Sequence, residues 1–153
     1  MPKTIVIADT SCLILLEKLQ MLDVLPQLFG EITITRIVAN EFGKDIPKWI
    51  NIVDPKVNTG VLILESSLDP GEASSIALAL EYPESLLIID DLKGRRMASR
   101  LGIHITGIFG IFIVAKNEGV IPMIKPVLEK IRKTNFRFSK KIEIEILRQS
   151  NEL

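Results

Sequence analysis

The sequence predicts an α/β domain with a central parallel sheet, and three observations predict it. Short apolar runs such as Ile5-Val6-Ile7-Ala8 and Leu86-Leu87-Ile88-Ile89 read as strands buried on both faces. Segments carrying apolar residues at helical spacing follow them. The two types alternate along the chain, the pattern of strand–helix–strand units with right-handed crossovers.

Taken in order, Ile5–Ala8 is the first strand and stops at Asp9-Thr10-Ser11, any of which can cap a helix carrying Leu13, Leu16 and Leu19. Ile32-Thr33-Ile34 is a second strand, and Arg36 to Phe42 a helix with Asn40 and Glu41 late in it. Between Gly43 and Leu68, Pro47, Pro55 and Gly60 interrupt any regular pattern, and Val61-Leu62-Ile63-Leu64 reads as a short strand. Asp69-Pro70-Gly71-Glu72 then has the makings of a capping box with proline in the first turn, ahead of an apolar stripe of Ala73, Ile76, Ala77 and Leu80. Leu86–Ile89 ends in Asp90-Asp91, and Lys93 to Leu101 continues as a helix closed by Gly102. Ile103–Thr106 is another strand. Ile108 to Asn117 is a helix apolar almost all round, as fits either a central core position or a subunit interface. Pro122 opens a helix to about Lys133. The tail from Ser139 reads as a further helix, with Ile142 and Ile146 on one face.

The 153 residues, 47% of them hydrophobic, fit one domain, 1–153, with a helical C-terminal extension over about 122–150. A chain of this length hides roughly 68–70% of its extended surface. Nineteen Lys plus Arg balance nineteen Asp plus Glu, which excludes a disordered tail protein and a broadly basic nucleic-acid coat. Any nucleic-acid contact must therefore come from a local patch. The single cysteine, Cys12, excludes an internal disulfide and a cysteine-based zinc site, and suits a reducing compartment. The expected location is cytoplasmic: the start lacks a signal-peptide pattern, and the apolar stretch from Ile105 to Ala115 is about half the ~20 residues that span a bilayer.

Ligands of parallel α/β sheets gather at the carboxyl ends of the strands. Two predicted strands end there in acid, at Asp9 and at Asp90-Asp91, and Glu41 and Glu72 complete an acidic set. Two like charges about 4 Å apart repel by roughly 4 kcal/mol at an effective dielectric near 20, so such a cluster calls for protonation or a cation. Oxygen-only donors favour Mg²⁺ or Mn²⁺ over zinc. One or two such ions assist in-line displacement at phosphorus, which is nuclease chemistry. Each acid also has a local explanation: Asp9 as an N-cap, Glu72 as half of a capping box, Asp91 as a charge favoured at a helix start. Glu41 has the weakest, because an acid late in a helix opposes the macrodipole and gains nothing from it.

Several segments in this order resemble a PIN domain: Ile-Val-Ile-Ala-Asp9-Thr10-Ser11, Val38-Ala39-Asn40-Glu41-Phe42, Leu68-Asp69-Pro70-Gly71-Glu72-Ala73, Leu87-Ile88-Ile89-Asp90-Asp91, and then Arg95 and Arg96. Thr106-Gly107-Ile108-Phe109-Gly110, followed by Ala115-Lys116, resembles one prokaryotic PIN subfamily similar to the ribonuclease toxins of toxin–antitoxin pairs. The resemblance spans nearly the whole chain. It implies a Rossmann-like sheet and a Mg²⁺- or Mn²⁺-dependent endoribonuclease, with RNA as substrate and an antitoxin protein as a partner. It makes Asp9 the first metal ligand, Glu41 the second acid, Glu72 the third and Asp90 or Asp91 the fourth, with Thr10 or Ser11 orienting Asp9 or a water. Glu72 is one methylene longer than the Asp many such nucleases carry. The other reading is a non-catalytic PIN-like module that binds nucleic acid or protein.

Lys93, Arg95, Arg96 and Arg100 cluster after Asp91 and supply a local patch for phosphate contacts, which give affinity without sequence reading. Lys130, Arg132, Lys133, Arg137, Lys140 and Lys141 make the C-terminal region basic, which reads first as a solvated face. Phe136 and Phe138 flank Arg137, and core anchoring of the tail is preferred there to base stacking. His104 is expected to be a packed structural histidine, Cys12 a buried small hydrophobe and Trp49 a packing anchor. No phosphate-binding glycine loop of the usual spacing is present, which argues against an ATPase or dinucleotide enzyme. A phosphoacceptor receiver is disfavoured because the Asp pair comes late in the chain. The helix from Ile108 to Val114 is the candidate surface for a homodimer.

Overall fold

The computed structural model describes residues 4–153. Its elements are β1 (Ile5–Ala8), α1 (Thr10–Lys18), α2 (Val24–Phe29), β2 (Ile32–Ile34), α3 (Arg36–Phe42), β3 (Ile50–Ile52), α4 (Asn58–Glu65), α5 (Pro70–Leu80), β4 (Ser85–Ile88), α6 (Leu92–Arg100), β5 (His104–Thr106), α7 (Ile108–Asn117), α8 (Lys125–Arg132) and α9 (Lys140–Gln149). The five strands form one sheet in the order β3-β2-β1-β4-β5, with every pairing parallel. This is the α/β architecture that the alternation predicts.

Period-two geometry sorts the central strands between two cores. Val6 and Ala8 of β1 join one buried cluster with residues of α1, α3, α7, α8 and α9, whereas Ile7 joins a second cluster with α4, α5 and α6. Ile88 goes to the first cluster and Leu87 with Ile89 to the second. A sheet covered on both faces needs apolar side chains at successive positions, which is why these strands are continuous apolar runs. Phe112 of α7 is the largest fully buried side chain, and Ile108, Ile111 and Ala115 beside it give α7 one core face. Among the described residues no helix is long and apolar enough to cross a membrane.

Five expectations are corrected. Val61–Leu64 belongs to the helix α4, which packs on α5, and not to a strand; Leu62 and Ile63 are 67% and 66% exposed and only Leu64 enters the core. A short apolar run does not by itself distinguish the two periods. Leu80 is 47% exposed, while everything from Gly71 to Ala79 is buried, so α5 is wrapped almost all round. α8 starts at Lys125 and not at Pro122, because Pro126 takes the first-turn position that proline fits. His104 is exposed, since β5 is an edge strand. Boundaries also shift by one residue: β4 opens at Ser85 and β5 at His104, and α6 spans Leu92–Arg100. The helix α2 and the strand β3 lie in stretches with no legible period. Cys12 is buried and Trp49 packs against the first core, as expected. Ser139 caps α9 by accepting from the Ile142 N–H at 3.2 Å.

Candidate active site

Strand order fixes where a ligand site can form. The chain lays β2 and β3 on one side of β1 and then β4 and β5 on the other, so the order reverses between β1 and β4. Open α/β sheets bind ligands outside the carboxyl ends of the strands at such a point. Asp9 directly follows β1, and its N–H donates to the Ile88 carbonyl at 3.0 Å, extending the ladder to β4. Asp90 lies just past the end of β4.

A cavity of about 480 Å³ opens there, lined by Asp9, Thr10, Ser11, Glu41, Asp69, Glu72, Asp90 and Asp91, with Ile14 and Phe136 at its apolar edge. The structure therefore gathers all five acids named from sequence, together with Thr10 and Ser11. It adds Asp69, which sequence reading had used only as a cap. Lys93, Arg96 and Arg100 are exposed on α6 outside this lining, whereas Arg95 is half-buried and donates from Nη1 to the Ile89 carbonyl at 2.9 Å.

Local chemistry separates the acids that cap from those that do not. Asp9 occupies the N-cap position of α1, yet its side chain makes no capping hydrogen bond, although it is only 3% exposed. Burial raises its carboxyl to about 7 against the stabilising N–H of Thr10, and the charges of Asp69, Glu41 and Asp90 add to the rise. Glu72 and Asp69 form a reciprocal capping box: the Glu72 N–H donates to Asp69 Oδ1 at 2.9 Å, and the Asp69 N–H reaches Glu72 Oε1 at 3.4 Å. Burial first, then Asp69, Asp91 and Asp9, push Glu72 up to about 8. Asp91 caps α6, its Oδ2 accepting from the Gly94 N–H at 3.0 Å. Asp90 accepts from the Ile108 N–H at Oδ1, 3.0 Å. Its carboxyl is raised by burial, opposed by that N–H and by Arg95. Asp90 Oδ2 is buried and is the one such side-chain atom among the described residues without a hydrogen-bond partner.

Glu41 is held from α1: Thr10 Oγ1 donates to Glu41 Oε1 at 2.5 Å. Gly71 makes room for this pair, because a Cβ there would overlap the Glu41 carboxylate and lie 3.0 Å from Thr10 Oγ1. Gly107 admits Asp90 in the same way, its imagined Cβ falling 2.7 Å from Oδ1 and 2.9 Å from Arg95 Nη1. Thr35 and Ser74 share a buried 2.7 Å hydrogen bond that ties α3 to α5, and with them Glu41 to Glu72. Gly71 and Gly107 lie within the sequence motifs, but only close approach reveals their part.

A comparison with protein-family models matches residues 5–152 to the family described as PIN domain. The chain belongs to the PIN domain family. PIN domains are in general terms nuclease-type proteins that bind nucleic acid, and the family generally uses divalent metal ions. No curated protein matches. In this PIN domain the carboxylates line a common cavity, and among the described residues no three His, Cys, Asp or Glu side chains converge into a formed metal centre. The donor set is all oxygen, which suits Mg²⁺ or Mn²⁺. An unpartnered buried oxygen on Asp90 and an uncapping Asp9 are the groups such an ion fits.

Proposed function

We propose that this PIN domain is a Mg²⁺- or Mn²⁺-dependent endoribonuclease that hydrolyses phosphodiester bonds. The observation that carries the reading is Asp90 Oδ2, a buried acceptor without a partner in the cavity where Asp9 also has no capping role. A buried unpaired acceptor costs stability on the order of 1–3 kcal/mol, a cost that a bound cation offsets. Asp9, Glu41, Glu72, Asp90 and Asp91 are the oxygen donors available, with Asp90 favoured over Asp91 as the fourth. When bound, the ion supplies Lewis acidity toward the phosphoryl oxygens and offsets charge on the attacking and leaving oxygens.

The chain's own groups perform the rest. Thr10 fixes Glu41 through Oε1, which leaves Oε2 of this exposed residue to take a proton from an attacking water. Arg95, bound to the Ile89 carbonyl, sets a positive charge that favours the ionised form of Asp90. Lys93, Arg96 and Arg100 present positive charge to the phosphate backbone. A cytoplasmic toxin of a toxin–antitoxin pair is the cellular role we propose with this activity, with an antitoxin as its protein partner and α7 as the surface for a homodimer.

End-labelled RNA incubated with the protein is expected to be cut in Mn²⁺ and to stay intact in EDTA. Intact RNA in both, with the protein folded, would replace this reading by the non-catalytic module. Gly71→Ala separates site from fold. The displaced Glu41 carboxylate is the end of a flexible side chain, and Gly71 lies in the first turn of α5, where glycine costs less than in a helix interior. Losing the Thr10 hydrogen bond to this exposed carboxylate costs about 1–2 kcal/mol. Urea unfolding should therefore shift by no more than about that, while cleavage falls at least about tenfold because Glu41 is swung out of place.

A further inference from the structure

Phe136 stands where three concavities meet. It lines the acidic cavity; a groove of about 460 Å³ that also includes Asp90, Leu92, Arg95 and Arg137; and a smaller hollow of about 290 Å³ bordered by Ser11, Lys18 and Asn135. A path thus runs from Lys18 past the carboxylates to Arg95 and Arg137, with Phe136 at its middle and Phe109 and Phe138 along the groove beyond. Cations at both ends suit an anionic strand laid across the site, and the central acids take its phosphate only with a cation between them. The ring is presented by local structure: the Phe136 N–H donates to Thr134 Oγ1 at 3.1 Å, and Phe109 meets the ring edge-to-face with centroids 5.6 Å apart. Phe138 has a different occupation, since it packs on Phe109 at 5.2 Å and carries the Arg132 guanidinium 4.4 Å above its ring. Both rings are half-buried, pack against the first core and line the groove; Phe138 is further engaged by Arg132, whereas Phe136 alone also borders the acidic cavity and the smaller hollow.

We propose that Phe136 is a stacking platform for an unpaired base of single-stranded RNA, setting the nucleotide beside the carboxylates. This rests on the ribonuclease reading and assigns one of its substrate-contacting residues. Every base has a π-face, so the platform selects for unpaired RNA and not for a sequence. A duplex must first give up pairing and stacking to offer a base.

The test is binding in EDTA, where nothing is cut, of a single-stranded RNA oligonucleotide carrying 2-aminopurine, against its duplex. Wild-type protein is expected to quench the 2-aminopurine and to prefer the single strand. Phe136→Leu, which keeps the apolar anchor, should weaken affinity about 5- to 100-fold and lose the quench. Phe136→Tyr should restore both, which a purely structural role would not require. Equal binding and quenching by wild type and Phe136→Leu overturns the platform and leaves the nuclease reading standing. No binding of either oligonucleotide by wild type also overturns the platform, whereas the nuclease reading stands or falls on cleavage in Mn²⁺.

Discussion

Asp9→Asn is expected to reduce Mn²⁺-dependent cleavage at least about a hundredfold and, in EDTA at pH 8.5, to make the protein more stable than wild type. The second effect follows from linkage. The Asp9 carboxyl is raised in the folded protein to about 7 from an ordinary 3.8, so between these values the folded state binds more protons than the unfolded one. Stability then falls as pH rises, because the slope of unfolding free energy with pH takes the sign of protons bound unfolded minus folded. The contribution is whole below about pH 4 and is lost as pH passes through 7. Glu72, raised from 4.5 to about 8, acts in the same direction. Asparagine keeps the shape and never ionises, so it removes the penalty where aspartate is charged, a gain of about 2–4 kcal/mol. Urea unfolding at pH 5 and pH 8.5 checks this: the variant's advantage should be large at the higher pH and small at the lower. Adding Mn²⁺ should stabilise wild type and not the variant, since only a ligand bound to the folded state raises stability by mass action. A variant weaker than wild type at both pH values would make Asp9 a structural residue.

How far the site was legible follows from what each residue shows locally. Asp9 and Asp90 were readable because a buried apolar run stopping in acid is a strand-end signal, and strand ends are where α/β sheets bind ligands. Asp69 and Glu72 were readable as a capping box and are one; nothing in their spacing showed that Asp69 also faces the cavity. The Thr10–Glu41 hydrogen bond joins residues 31 positions apart, and no local pattern encodes such a pairing. The same holds for Gly71 and Gly107, whose missing Cβ atoms matter only because another element's carboxylate lies there. Arg95 read as one of four phosphate contacts, yet helical rotation turns it inward to the Ile89 carbonyl while Lys93, Arg96 and Arg100 stay exposed. The misread Val61–Leu64 has a different cause: four apolar residues satisfy both periods, and the choice was made by packing on α5.

The adjacent pair Asp90-Asp91 leaves the sequence without a choice of fourth acid, and the proposal of Asp90 rests on the hydrogen bonds of the two. Asp91 spends an oxygen on the Gly94 N–H at the start of α6, where a negative charge also meets the positive end of the helix dipole. Asp90 spends Oδ1 on the Ile108 N–H and keeps Oδ2 unpartnered. Asp90→Asn preserves an oxygen for Ile108 while replacing the other, and is expected to lower cleavage at least about a hundredfold with the fold intact. Asp91→Ala removes a cap, and is expected to lose about 0.5–2 kcal/mol of stability while retaining cleavage within a few fold. Asp91→Asn, which still caps, should match wild type in both respects. Parallel measurement of cleavage rate and urea midpoint on these three variants decides between the two residues. Loss of cleavage in Asp91→Asn with full activity in Asp90→Asn would transfer the role to Asp91 and leave the unpartnered oxygen of Asp90 as a cost borne for the packing of β4 against α7.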